Sequence, residues 1–295
     1  MRHVNERSSY DREHPEVIEF DTWGEFIDHV ETVNPTKGAD NESHNTKGAG
    51  WCSATWSEAI NLARHGWTKG ESYVAKRAKR LEDRIAHRIV REDWNYDVEG
   101  MAFDVARYLT NEPEHWIRPE DSVVTSDAGT RHVKIVANVS ASCQVTDEAI
   151  RARGATIAAL VELLEYSGQC VEVHIIMATT NQSKGAPVHA FSVRVKAFDQ
   201  KLDMGRIAFA LAHSATLRRF GFRMNESAHH SIVREIGSSA YSYGYPAEFD
   251  KLGETSLYLP AAKGWDNDVD WTSVESAEAW ILAKLAEQGV VLRDD

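Results

Sequence analysis

The sequence lacks the features of membrane-spanning, secreted and disulfide-bonded proteins. No apolar run reaches the roughly 18 residues that a membrane span requires, and the polar N-terminal stretch has no apolar core of a signal peptide. The three cysteines, Cys52, Cys143 and Cys170, form no CxxC pair, so we expect neither a disulfide framework nor a cysteine zinc site. These absences predict an unsecreted protein of a reducing cytoplasm, with no membrane partner.

Positive charge is also in short supply. The chain has 33 lysine and arginine residues against 45 aspartate and glutamate residues, which gives a formal net charge of −12. This balance argues against a protein that coats nucleic acid with its whole surface, although it permits a local basic patch. The 295 residues, of which 42% are hydrophobic, are enough for one large domain or two ordinary ones and exclude wholesale disorder.

The common signatures of catalysis are missing as well. The chain contains no HExxH helix, no GxSxG elbow, no GxxxxGK[ST] phosphate loop and no GxGxxG after a predicted strand. Its 13 histidines show no metal-ligand spacing. We interpret the glycine-, serine- and tyrosine-rich stretch 237–244 as an exposed contact surface. We therefore expect a protein without enzymatic activity.

Two segments precede the part of the chain that carries the strongest strand signals. Residues 1–20 show little periodicity and are predicted to form an arm. Residues 21–119 are predicted to be mainly helical, because Thr-x-x-Glu capping boxes open several amphipathic stretches. Within this segment, residues 34–50 have almost no apolar side chains to offset the entropy cost of ordering, so we predict a mobile loop. The capping boxes are Thr22 with Glu25, Thr55 with Glu58, and Thr68 with Glu71.

Residues 120–295 show the alternation of an α/β domain. An apolar strand at 132–139 precedes a long helix at 146–166, which begins with an N-cap threonine and acidic residues in its first turn. Two further strands are predicted at 171–178 and 189–198. This order implies a sheet with helices on both faces, and the apolar character of 132–139 places that strand inside the sheet.

The first of these strands runs into Asn138-Val-Ser-Ala-Ser142, a loop beyond the carboxyl end of a strand, where open α/β sheets bind their ligands. This pattern resembles the von Willebrand factor A domain, in which the first strand ends in Asp-x-Ser-x-Ser and the loop holds a divalent cation completed by a partner's carboxylate. The stretch 152–173 also looks like the first helix and second strand of that fold. The resemblance implies a von Willebrand A-like (Rossmannoid) fold for residues 120–295 and a site formed by Asn138, Ser140 and Ser142.

The loop departs from the family pattern at its first position. Asn138 offers a neutral amide oxygen where the family has an aspartate, and Mg²⁺ prefers anionic oxygen ligands. Asp203 could supply the missing carboxylate, as could Asp266 or Asp268. We therefore predict a degenerate metal site with no cofactor or only weakly bound Mg²⁺. Ser140 and Ser142 have an alternative role as turn formers at the entrance of the helix.

A second resemblance covers most of the chain. The runs at 56–67, 97–116, 153–168 and 204–222 look like an uncharacterised family of tailed-bacteriophage proteins. The likeness implies a phage-encoded protein in the cytoplasm of the infected host cell, without implying an activity. It leaves association with the virion open.

A row of arginines provides a different hypothesis. The stretch 71–91 is predicted to be helical, and its arginines recur at spacings of three or four residues, which places them along one face. Such a row can follow the phosphates of a nucleic acid. It also has a plain interpretation as a solvated helix face, because Glu82 and Asp83 lie within its reach. The row consists of Arg77, Arg80, Arg84, Arg88 and Arg91.

The sequence thus favours a non-enzymatic, phage-encoded scaffold that binds a protein partner through the face around residues 138–142. This hypothesis combines the lack of a catalytic constellation with a fold that is used for binding. An accessory protein that binds nucleic acid through the helix 71–91 is the first alternative. A structural component of the virion is the second.

Overall fold

The computed structural model describes residues 1–5, 15–45, 49–81, 91–97, 102–110, 112–122, 132–166, 169–182, 185–238, 243–249, 257–263 and short pieces between 273 and 283. The α-helices are α1 (Trp23–Thr32), α2 (Ala49–Cys52), α3 (Trp56–His65), α4 (Thr68–Leu81), α5 (Val105–Leu109), α6 (Asp147–Tyr166), α7 (Met204–Ala212), α8 (Phe222–Ser227) and α9 (His230–Glu235). A 3₁₀ turn spans Glu42–His44, and a π-helical turn spans Thr216–Gly221. The strands are β1 (Arg2–Asn5), β2 (Glu16–Phe20), β3 (Arg91–Asp97), β4 (Ala102–Phe103), β5 (Trp116–Ser122), β6 (His132–Asn138), β7 (Cys170–Thr180), β8 (His189–Lys196), β9 (Tyr245–Pro246) and β10 (Leu257–Leu259).

Seven strands form one mixed sheet in the order β1-β2-β8-β7-β6-β10, with β9 paired to the end of β7. Strands β6, β7 and β10 run parallel, while β8 is antiparallel to β7 and parallel to β2. β6 has a partner along both edges, because Ile135 lies opposite Val173 on β7 and opposite Leu257 on β10. The α/β class and the internal position of this strand are confirmed.

Two parts of the first 20 residues belong to this sheet, so the predicted arm is wrong. β2 pairs in parallel with β8, from Glu16 opposite His189 to Phe20 opposite Val193, and β1 pairs with β2. Val17 and Phe20 are only 4% and 2% exposed. A strand of five residues is too short for its periodicity to be detected, and its stability comes from the hydrogen bonds that β8 supplies.

One hydrophobic cluster joins both halves of the chain. It packs α1, α3, α4, α6 and α7 against one face of the sheet. The core therefore does not divide near residue 120, where we expected a mainly helical segment to give way to a separate α/β domain. The N-terminal helices bury their apolar faces on the same sheet as α6, so the two segments share one core. Members that represent the elements are Phe26, Ile60, Val74, Leu160, Phe209, Ile135 and Ile175.

The opposite face of the sheet carries a smaller cluster. Val17, Val136, Ile176 and Ala190 contribute to it from four strands, and Phe249 covers them. No residue of a described helix belongs to this cluster. Among the described helices, α1, α3, α4, α6 and α7 pack on the first face, while the apolar residues of α9 form a separate cluster with Val188.

A second, three-stranded sheet has the order β3-β5-β4 and is antiparallel throughout. Its first strand corrects the predicted helix 71–91. α4 ends at Leu81, residues 82–90 lie outside the described residues, and Arg91 opens β3 opposite Ser122. Alternating aromatic residues at Trp94 and Tyr96 are typical of a strand, and the pairing with β5 fixes this conformation.

Most helices whose N-terminal caps were predicted from the sequence begin where the prediction places them. The Thr22 side chain accepts a hydrogen bond from the Glu25 backbone, and the capping box of Thr55 and Glu58 is complete. Thr146 accepts from Ala149 N at 3.2 Å, so the N-cap of α6 is also confirmed. α4 differs, since it begins at its threonine rather than after it. No helix in the described ranges, α6 included, has the length and apolar composition to cross a membrane.

α6 and α7 cross at Gly154 with almost no space between their backbones. A Cβ atom added at Gly154 would overlap the carbonyl group of Leu211 and the Cα of Ala212. The absence of a side chain at Gly154 thus allows α6 to pack closely on α7.

We expect Gly154→Ala to lower the free energy of unfolding by about 3 kcal/mol, because the added methyl group forces the two backbones apart. The matched control is Gly24→Ala in α1, where a Cβ meets nothing within 4 Å. That variant should be as stable as the parent or gain up to about 1 kcal/mol from helix propensity. Urea unfolding followed by circular dichroism measures both, and equal effects of the two substitutions would contradict the close crossing.

Candidate functional site

The carboxyl ends of β6, β7 and β10 form the edge at which ligands of such sheets bind. From β6 the strand order runs through β7 to β8 on one side, while the later strand β10 lies on the other side, so the order reverses between β6 and β10. The loops after these two strands are joined there. Ser142 N donates to Ala262 O at 3.0 Å, and Ala262 N donates to Ser140 O at 2.9 Å. The space between β6 and β10 is closed by these bonds.

Asn138, the proposed first ligand of a metal, is fully buried and bonded within the protein. Its Nδ2 donates to the carbonyl oxygen of Ala247 at 2.8 Å and to the Tyr258 hydroxyl at 3.1 Å. Its Oδ1 accepts from the Ser140 backbone at 3.1 Å. The amide therefore links the end of β6 to the segments around Ala247 and β10, a role that requires a donor as well as an acceptor.

The two serines of the loop are also used locally. Ser140 Oγ donates to Ala178 O at 3.1 Å and accepts from Ala178 N at 2.9 Å, which ties the ends of β6 and β7 together. Ser142 Oγ accepts from Gln144 N at 3.3 Å. These contacts support the alternative role of turn formers at the start of α6.

Asp203 lies at the other edge of the sheet, so its proposed role as an added ligand is wrong. It follows β8, whose carboxyl end is next to the amino end of β7 because the two strands are antiparallel. There Asp203 caps α7, with Oδ1 accepting from Arg206 N at 3.0 Å. The other two candidates, Asp266 and Asp268, lie outside the described residues. Within the described ranges, no group of three or more His, Cys, Asp and Glu side chains is placed to hold a metal ion.

The arginine row is divided by the structure. Arg77 and Arg80 lie on α4, while Arg91 lies in β3. Arg84 and Arg88 lie outside the described residues. The row is therefore not one continuous helix face, because its last member lies in β3, which pairs with β5.

An open pocket of about 440 Å³ lies beside the loop at the carboxyl edge. We call it the carboxyl-edge pocket. Its walls are the loop 140–143, the end of β7 at 177–179, Arg218 with its neighbours Leu217 and Phe222, the segment 243–246, and Glu42 with Trp51. The sequence placed a site at this edge, but the residues that form its cavity come mostly from other parts of the chain.

Aromatic side chains form much of the wall. The Phe222 and Tyr243 rings stack with centroids 3.9 Å apart and planes 9° apart. Trp51 and Tyr245 stand at the mouth, 42% and 45% exposed. Tyr243 and Gly244 come from the stretch 237–244 that we interpreted as a contact surface.

Arg218 supplies the positive charge of the pocket although it is only 1% exposed. Its guanidinium lies 4.1 Å from the centre of the Trp51 ring, where it donates to Trp51 O at 2.7 Å and to Val145 O at 2.6 Å. Burial lowers the pKa of Arg218 below its usual value, yet an arginine stays charged at neutral pH. In the part of the chain that the structure describes, no carboxylate forms an ion pair with it.

A second buried arginine fixes the wall opposite. Arg219 donates to the carbonyl oxygens of Ser43 and Asn45 at 2.9 Å each and to that of Ala54 at 3.1 Å. The described part of the predicted mobile loop 34–50 is therefore anchored. The hydrogen bonds from Arg219 order this segment, although it has almost no apolar side chains of its own.

Glu226 completes this anchorage. It is fully buried and accepts from Ser43 N at 2.8 Å, from Ser43 Oγ at 2.5 Å and from the Tyr243 hydroxyl at 2.6 Å. Its carboxylate lies 3.4 Å from Nη1 of Arg223. Burial raises the pKa of Glu226, and burial together with Glu226 raises the pKa of Tyr243. One network thus holds both the segment around Glu42 and the segment around Tyr243.

This region was not predicted from the sequence to contribute to a site. The signal that could have identified it is a concentration of charge in an apolar run, with Arg218, Arg219, Arg223 and Glu226 among phenylalanines and leucine. The π-helical turn at 216–221 carries the first two arginines. Such turns are frequent at functional sites.

We expect Arg219→Met to release the segment 41–45, because its carbonyl oxygens lose their buried donor. Hydrogen exchange of its amides should become at least tenfold faster, and the free energy of unfolding should fall by about 3 kcal/mol. Arg234→Met, at an exposed position of α9, is the matched control and should change neither quantity. Unchanged exchange at 41–45 in the Arg219 variant would contradict the anchoring role.

We also expect Asn138→Asp to lower the free energy of unfolding by about 3 kcal/mol, since a carboxylate would face the carbonyl oxygen of Ala247 in a buried site. Millimolar Mg²⁺ should leave the melting temperature of both parent and variant unchanged. Asn34→Asp adds the same charge at an exposed position and should have little effect. A melting temperature that rises with Mg²⁺ in either protein would show that the loop does bind a metal.

The comparisons with known proteins give one result. The sequence pattern of a domain of unknown function, DUF7192, matches residues 9–286, which is nearly the full length of the chain. No curated protein and no solved structure matches. The single core that joins the N-terminal helices to the sheet agrees with one domain of this extent. The chain is a member of the DUF7192 family.

Proposed function

We propose that this protein is a non-enzymatic binding protein of von Willebrand A-like fold, whose carboxyl-edge pocket receives part of a protein partner without a metal ion. The observation that carries the proposal is the pocket itself. It is open and of ligand size, about 440 Å³, and it combines aromatic walls with the buried charge of Arg218 at the edge where such sheets bind ligands.

The strand order β8-β7-β6-β10 supports the von Willebrand A-like assignment, because its reversal lies next to β6, beside the Asn138–Ser142 loop that resembles the Asp-x-Ser-x-Ser loop of that family. Here a buried asparagine replaces the aspartate and makes internal hydrogen bonds. In this proposal the loop has a structural role, and the partner binds in the pocket beside it.

A protein partner fits the surface better than a nucleic acid does. Trp51 and Tyr245 stand exposed at the mouth of the pocket, and exposed aromatic residues of this kind contribute strongly to protein interfaces. The net charge of −12 opposes binding to phosphates. The described lining of the pocket includes no histidine, so Cys143 lacks the base that usually activates a cysteine nucleophile.

The resemblance to tailed-bacteriophage proteins leads us to place this activity in an infected host cell, where the protein acts as an accessory factor. The virion role remains the alternative in this proposal. Mass spectrometry of purified particles distinguishes the two, because a structural component is present in every particle.

Affinity capture with tagged variants tests the binding proposal. Tyr245→Ala should reduce the amount of captured partner at least tenfold, because an aromatic contact at the mouth is lost. The control is Tyr166→Ala, which removes a tyrosine that is 91% exposed at the end of α6, just before β7 begins at the opposite edge. EDTA should have no effect. Equal capture by the two variants, or recovery of nucleic acid alone, would contradict the proposal.

A further inference from the structure

His44 is held between an aromatic ring and a guanidinium group. Its half-buried ring stacks on that of Trp56, with centroids 3.8 Å apart and planes 25° apart. Nη2 of Arg223 contacts Nδ1 of the same ring and, because a guanidinium is only a donor, donates a hydrogen bond to it. An imidazolium carries a hydrogen on both ring nitrogens, so Nδ1 can accept only while His44 is neutral. This packing therefore requires an uncharged histidine.

The core elements that face His44 present positive charge to it. Arg223 lies on α8, and Arg219 lies on the π-helical turn before it. From α3, the uncharged ring of Trp56 faces His44. Burial, Arg223 and Arg219 together lower the pKa of His44 to about 4. The histidine is thus neutral at physiological pH in the packed structure.

The carboxylates of this region already have partners. Glu226 on α8 accepts hydrogen bonds from two hydroxyl groups and lies 3.4 Å from Nη1 of Arg223. Glu42, on the same segment as His44, accepts a hydrogen bond from Asn45 Nδ2. A proton on His44 would therefore add a positive charge beside buried arginines, which repel it.

The position of His44 connects its charge to the carboxyl-edge pocket. It lies in segment 41–45, whose anchors are hydrogen bonds from the core. Glu42 of this segment lines the pocket. Ser43 bonds to the same buried carboxylate as Tyr243, another residue of the pocket wall. Release of the segment would remove one wall and leave the other with one support fewer.

We propose that His44 is a pH-sensitive switch of the carboxyl-edge pocket: the neutral ring keeps segment 41–45 docked, and protonation in mild acid releases the segment and removes a wall of the pocket. This inference rests on the proposed function, because it names a regulation of the site that receives the partner. It requires neither a metal nor a cofactor.

The direction of the pH effect follows from the two states of the segment. His44 has a pKa of about 4 when the segment is docked, whereas a histidine in solvent titrates near pH 6.5. Docking is therefore at full strength above about pH 6.5 and weakens by up to about tenfold for each pH unit below it, until about pH 4. From pH 7.5 to pH 5.0 the released fraction rises about thirtyfold if His44 alone titrates. Glu226 acts in the opposite sense, because burial raises its pKa, so we expect a rise of at least about tenfold.

Hydrogen exchange of the unmodified protein at pH 7.5 and pH 5.0 tests the switch. The amides of Ser43, His44 and Asn45 are hydrogen-bonded in the docked segment. Their opening, corrected for the intrinsic exchange rate, should rise at least about tenfold at the lower pH. The amides of α6 are the internal control for global unfolding and should open far less. Equal opening of segment 41–45 at the two pH values would overturn the inference.

A variant assigns the effect to the histidine. His44→Gln removes the titrating group and keeps a neutral acceptor for Arg223, so the pH dependence of opening at 41–45 should disappear. His65→Gln, at an exposed position at the end of α3, is the matched control and should respond as the parent does. A response that persists in the His44 variant would mean that another group titrates, contrary to the inference.

The parent protein alone provides a second criterion, which does not depend on whether the His44 variant folds. Opening of segment 41–45 should begin to rise as the pH falls below about 6.5, where a released histidine takes up its proton. A rise that begins only below about pH 4.5 would assign the effect to a carboxylate and would overturn the inference.

Affinity capture at the same two pH values separates this inference from the proposed function. At pH 7.5 capture should depend on Tyr245, as the proposed function requires. At pH 5.0 the parent should capture less partner, while the His44→Gln protein should capture as much as at pH 7.5. Capture that depends on Tyr245 but is equal at both pH values would leave the proposed function standing and overturn the switch. If capture does not depend on Tyr245 at pH 7.5, both proposals are wrong.

Discussion

Buried arginines that donate hydrogen bonds to backbone carbonyl oxygens are the constraint on which the rest of this structure depends. Arg219 holds the segment around Ser43, and Arg218 holds the backbone at Trp51 and Val145. Arg153, whose pKa burial lowers to about 10, donates to the carbonyl oxygens of Asn138 at the end of β6 and of Pro260 just after β10. Each guanidinium has five donors in a fixed plane, so a single side chain can join two or three separate chain segments.

This arrangement explains where the pocket lies. Strand order leaves an accessible edge beyond β6 and β7, and the bonds between Ser140, Ser142 and Ala262 close one side of it. The arginines of the π-helical turn then fix the opposite walls. The side chains that are buried in the core thus also fix the walls of the pocket, because they donate hydrogen bonds to the backbone of separate segments.

Local signals predicted a substantial part of the fold. The helix start at Thr55 and the N-cap at Thr146 depend on residues three positions apart, and the structure has both. The strand before Asn138 was recognised as internal because its side chains are apolar on both faces. β2 was missed, since a five-residue strand carries too little pattern and needs β8 to form. The end of α4 and the start of β3 were also missed, because pairing with β5 outweighs helix periodicity there.

The sequence by itself determined the α/β class, the internal position of the strand that ends at Asn138, and the absence of a carboxylate at position 138. The tertiary structure alone decided what that edge contains. Asn138 bonds to Ala247 across 109 positions of the chain, and Arg219 bonds to Ser43 across 176. Capping and periodicity act between residues a few positions apart, so they are visible in the sequence. The partners of a buried polar group are set by how distant segments pack, and no local pattern records them.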